Sequence, residues 1–173
     1  MKINEILANQ KNSILKRWFK AIIDSYPPQS GQYLLNTSNK FSNPIGVAIE
    51  NALPPILDAV ISNKLSEDAE KGLEDIIKIR AVQEVDAAEA LGFVFSLKAI
   101  LISEISSYLN TDDAIREFFL LEKSLDAVTL YSFNQYVKLR ESIFRIKSNE
   151  RLKTFEKMIN RLNDKYEELT GKN

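Results

Sequence analysis

The chain has 173 residues, of which 45% are apolar and 27% charged, with a net charge of -1. That is enough for one domain with a sizeable core and carries no global attraction to nucleic acid or anionic membrane. Cysteine and histidine are both absent, which excludes disulfides, thiolate or imidazole metal sites, thiol nucleophiles, Ser-His-Asp triads and His-ligated haem.

The N-terminal "MKINEILANQ" is amphipathic and carries Glu5, unlike a signal peptide. No apolar run approaches the roughly 18–20 residues of a membrane span. The expected location is cytoplasmic, without membrane insertion.

Leu7, Ile14, Trp18, Ile22 and Tyr26 recur at helical spacing and predict a first helix over about 3–26. Pro27-Pro28 ends it, because proline cannot continue the hydrogen-bond ladder. A short helical piece is expected around 32–37. In "NKFSNPIGVAIENALPPIL", Pro44 fits the first turn of a new helix and Asn43 its cap. Gly46 then reads as a close helix crossing. Pro54-Pro55 predicts a kink or restart, since interior proline costs about 3 kcal/mol.

Ser66 reads as the cap of a helix over about 67–82, with Glu67 and Asp68 favourable in its first turn. "DAAE", Asp86 to Glu89, is a capping-box pattern opening the most hydrophobic helix, expected at the centre of the core. Thr111 caps the final helical region, read as one very long helix or two joined ones. Leu130, Phe133, Val137 and Phe144 form a seam there. Phe155, Ile159, Leu162, Tyr166 and Leu169 form a second one, alternating spacings of four and three like a coiled coil. The two are out of phase by one residue near the polar "KSNER", so the core is expected to end near Ile146. The expected division is a helical domain over 1–147 and a helical extension over 148–173.

No catalytic constellation, metal cluster or cofactor motif stands out. The aromatic residues read first as core, and second as the lining of a pocket between helices. Lys98 interrupts "FVFSL" and "AILI". Its long side chain either snorkels to water or needs a partner such as Asp126 or a bound anion. Arg80 and Gln83, nearly one turn apart, face a shared polar pocket on this reading. The tail is basic, with acids interspersed and no base-reading motif, so nucleic-acid binding is not expected.

"ILKRWFKAIIDSYP", "KFSNPIGVAIENAL" and "IIKIRAVQEVDAAEALGFVFSLK" together resemble the N-terminal domain of RsbRD-type RsbT co-antagonists, also found ahead of some bacterial sensor histidine kinases. The family pattern has Arg-Trp-Phe near the start, a Phe-x-Asn-Pro-hydrophobic-Gly loop and an Ile-Arg-Ala-Val-Gln segment. Arg17, Trp18, Phe19, Phe41, Asn43, Pro44, Gly46, Arg80, Ala81, Val82, Gln83 and Lys98 match it. The resemblance covers about 3–147, and Pro54-Pro55 departs from it. It implies an all-α, globin-like, non-haem helical bundle with a long C-terminal helix. No kinase or STAS segment follows that helix, so the expectation is a stand-alone, non-enzymatic signalling domain. It would form a homodimer or dock a protein signalling partner through Phe155, Ile159, Leu162, Tyr166 and Leu169. A small-molecule pocket is expected at Trp18, Phe41, Asn43, Arg80, Gln83 and Lys98. The rival reading is an adaptor subunit that docks a larger complex through the same tail.

Overall fold

In a computed structural model the described residues are 2–37 and 41–171. Lys40, which opens the quoted "KFSNPIG" segment, lies outside them. The described residues form an all-α chain of seven α-helices and one 3-10 helix. The helices are α1 (Ile3–Asn9), α2 (Lys11–Asp24), α3 (Pro28–Leu34), α4 (Pro44–Ser62), α5 (Glu67–Val82), α6 (Ala87–Ile105) and α7 (Asp112–Thr170), with the 3-10 turn at Ser106–Tyr108.

The single first helix expected over 3–26 is two helices. Gln10, at φ -95° and ψ 4°, separates α1 from α2. No apolar residue lies between Ala8 and Ile14, so no apolar side chain ties the polar "NQKNS" to the core, and each half packs by its own apolar residues. The Ile3 amide anchors α1 by donating to Glu117 Oε2 on α7 at 2.6 Å. The short helix starts at Pro28, earlier than expected, because that proline itself occupies the first turn.

The caps fall where the sequence places them. Gly46 N–H donates to Asn43 Oδ1 at 2.8 Å, Ala69 N–H to Ser66 Oγ at 3.2 Å, Glu89 N–H to Asp86 Oδ1 at 2.8 Å and Ala114 N–H to Thr111 Oγ1 at 3.2 Å. Each satisfies an amide that has no partner within the helix.

The kink or restart expected at Pro54-Pro55 does not divide the helix; α4 runs through both prolines. The two prolines withdraw the amides that would meet the carbonyls of Glu50 and Asn51, both exposed residues that water can serve. Leu53, Ile56 and Leu57, fully buried around them, hold the turn in place.

The core is built by α2 on α6 and, most extensively, by α4 on α5. Gly72 allows the second of these contacts, since a Cβ there would meet the Ala52 carbonyl oxygen at 2.8 Å. Trp18 is buried, stacks on Phe93 with ring centroids 6.3 Å apart and donates its indole N–H to the Phe93 carbonyl at 2.7 Å. Leu121, Ser124, Leu125, Val128, Ser132 and Tyr136 are the buried residues of α7.

Two stretches correct the expectation that nothing is long and apolar enough to span a bilayer. Pro44–Ser62 and Ala87–Tyr108 both reach that length and composition, and 44% of the apolar 18-residue window in each is buried in this fold. A central core helix meets the same criteria. Contacts divide the chain into two compact units, Met1–Tyr136 and Val137–Asn173. The first contains all of the buried residues among those described. The second is helical up to Thr170, and Phe155, Ile159, Leu162, Tyr166 and Leu169 on it are all more than half exposed.

Candidate functional site

Pro27-Pro28 turns the chain from the end of α2 into α3, and the start of α4 returns beside that corner. Between them lies a cleft of about 430 Å³. Tyr26 lines it from the end of α2; Gln29, Ser30, Tyr33 and Leu34 from α3; Asn43, Pro44 and Ile45 from the start of α4. Gln83, the residue that closes α5, completes the wall. None of these side chains is charged, and the volume suits a small organic molecule.

Asn43 builds the cleft. Its Nδ2 donates to the carbonyls of Tyr33, Leu34 and Asn36 at 3.2, 2.9 and 2.9 Å, while its Oδ1 caps α4. One buried amide therefore clamps the end of α3 to the start of α4. A Cβ on Gly46 would overlap the Asn43 side chain and the Leu34 carbonyl. The close approach read at Gly46 is thus to a side chain and to the carbonyl that ends α3.

Arg80 lies behind the Tyr26 wall. It is 3% exposed, its guanidinium carbon sits 4.3 Å from the centre of the Tyr26 ring, and its Nη2 donates to Ser25 Oγ at 2.8 Å. Arg80 Nε and the Tyr26 hydroxyl are buried without hydrogen-bond partners among the described residues.

The structure gathers Asn43, Gln83 and, one layer back, Arg80 at this cleft. Trp18 is in the core, Phe41 is 97% exposed and Lys98 pairs elsewhere; none of the three lines the cleft. Lys98 Nζ meets Glu122 Oε2 at 2.9 Å, not the candidate Asp126, and the other Glu122 oxygen is buried without a partner among the described residues. Arg17, from the Arg-Trp-Phe motif, joins α2 to α6 through Glu104 and through Ser103 Oγ at 3.0 Å.

Sequence reasoning missed every lining residue but Asn43 and Gln83, Tyr26 and the α3 residues foremost. Tyr26 read as one more apolar helical position. The available signal was the proline pair beside it, which marks a sharp corner and hence a concavity.

A family model described as the RsbT co-antagonist protein rsbRD N-terminal domain matches residues 12–151. The chain belongs to this family. No curated protein and no solved structure gives a significant match. The matched span runs from α2 into α7 and includes Asn43, Gly46, Arg80 and Gln83, which shape or adjoin the cleft.

Proposed function

We propose that this RsbRD-type domain is a non-catalytic bacterial signalling module, cytoplasmic and globin-like in its helix arrangement, whose helices shift when a ligand or partner binds. The observation that carries this reading is the family match over residues 12–151. The cleft supports it, because the ends of α2 and α5 and the start of α4 all meet there. A ligand that fits one arrangement of those ends better than another biases the equilibrium between them. The exposed seam Phe155, Ile159, Leu162, Tyr166 and Leu169 would pair with a second copy or a protein signalling partner. The reading includes no nucleic acid, no membrane insertion and no cofactor.

Native mass spectrometry of the full chain tests both halves. The expected result is a dimer mass with a retained small molecule. A bare monomer that stays monomeric when concentrated would overturn the reading. The exposed seam favours one second reading, an adaptor that lays this helix face on a larger assembly.

A further inference from the structure

We propose that the cleft takes a small, mainly apolar molecule bearing a carboxylate, and that Tyr26 is the residue that registers it. This inference rests on the reading of the cleft as a ligand site.

The charge balance around the cleft selects the ligand's sign. Arg80 is buried, and among the described residues no carboxylate pairs with it. Its contacts are one hydroxyl and one aromatic face. Asp24, the chain neighbour of Ser25 at the end of α2, is held by Lys20 at 2.6 Å. A buried cation without a counter-ion is costly. Among the described residues no acidic side chain lines the cleft, so an incoming anion meets a positive charge behind the Tyr26 wall and no negative charge on it.

Tyr26 links that charge to the cleft. A cation against the ring face draws on its electron density, which strengthens the phenol as a hydrogen-bond donor. That hydroxyl is buried and unpartnered among the described residues, and an unmade buried hydrogen bond destabilises. A carboxylate is the acceptor that uses such a donor best, because charge-assisted bonds are about twice as strong as neutral ones. Gln29, Ser30 and Gln83 supply further neutral donors, whereas the Asn43 amide is already spent on three carbonyls. Leu34, Pro44 and Ile45 offer apolar contact for one ring or a short alkyl chain. Because the hydroxyl is closed over, engaging it moves Tyr26. Tyr26 moves against Arg80, and Arg80 is bonded to the end of α2 through Ser25.

The test is amide NMR titration of the full chain with benzoate, benzamide and benzylamine, three probes of similar shape and different charge. Benzoate is expected to shift the amides of Gln29, Ser30 and Gln83 and to bind about tenfold tighter than benzamide, a 1.4 kcal/mol difference. Benzylamine is expected to leave those amides unmoved. Tyr26→Phe, with amide dispersion unchanged, is expected to bring the benzoate-to-benzamide ratio close to one. Gln83→Glu, which puts an anion in the cleft, is expected to weaken benzoate alone. Equal binding of benzoate and benzamide would overturn the carboxylate inference and leave the ligand-site reading standing. Failure of all three probes to move those amides would overturn the ligand-site reading itself.

Discussion

Asn43 carries more structure than any other single residue near the cleft. Asn43→Ala removes a helix cap and takes one donor away from each of three carbonyls. The expected loss is about 2–4 kcal/mol, combining the cap with at least one unsatisfied buried acceptor. Asn43→Asp keeps the capping oxygen but turns a carboxylate toward the carbonyls, so urea unfolding should show it at least as unstable as the alanine variant. Near-wild-type stability in Asn43→Asp would refute the clamp. Glycine provides a matched pair at the same scale. Gly46→Ala drives a Cβ into Asn43 and the Leu34 carbonyl and should cost about 1–3 kcal/mol or more. Gly92→Ala meets nothing within 4 Å inside α6 and should stabilise by about 0.4–1 kcal/mol. The sequence announces Asn43 as a cap, because capping is a local event. The clamp on α3 is silent in the sequence, since it depends on how a separate segment returns.

At the scale of elements, helix starts were legible and helix interiors less so. Ser66, Asp86 and Thr111 each act within three residues of their position, so their spacing alone reveals them. Pro54-Pro55 and Gln10 are different. Local preference favours a break at the prolines and a continuous helix at Gln10, and packing reverses both. Pro54→Ala and Pro55→Ala restore an amide to a helix that is already continuous. Each is expected to raise the thermal midpoint, read by circular dichroism; a fall in both would show that α4 requires the proline geometry. Lys98 follows the same logic: Glu122 and Asp126 are one turn apart on α7, and which one meets Lys98 is set by the rotation of α7 against α6.

The contact between α5 and α7 has a pH signature. Tyr131 donates its hydroxyl to Glu74 Oε1 at 3.2 Å. Burial, followed by the hydrogen bond to Glu74 and the charges of Glu70 and Glu74, raises the phenol above its ordinary 10.0, with a hydrogen bond from Gln135 opposing. The folded state therefore holds this proton more tightly than the unfolded chain. The resulting stability is fully present below about pH 10 and is lost as pH rises through the folded value. Denaturation midpoints measured from pH 8 to pH 11 should fall at the alkaline end, and Tyr131→Phe should flatten that fall. An equal fall in both proteins would place its origin elsewhere.

At the scale of the whole molecule, the buried residues among those described end at Tyr136, ten positions before the Ile146 boundary drawn from the polar linker. The difference is physical. A seam at positions such as Leu130, Phe133, Val137 and Phe144 has the same spacing whether it faces a core or a partner, and each of these residues is exposed in the single chain. Sequence periodicity thus identifies an apolar face without saying what covers it. The second seam allows that question to be put directly. Ile159→Glu with Leu162→Glu places charge on two residues that are each more than half exposed. In a lone chain such changes are nearly neutral, within about 0.5 kcal/mol apiece. In a paired helix they put four carboxylates into one apolar seam, which no close-packed pairing accommodates. The expected outcome is a drop from two chains to one by light scattering, with the helical signal of the single chain largely kept. A wild-type protein already at one chain, and unchanged by both substitutions, would remove the homodimer and leave this face to a partner of another kind.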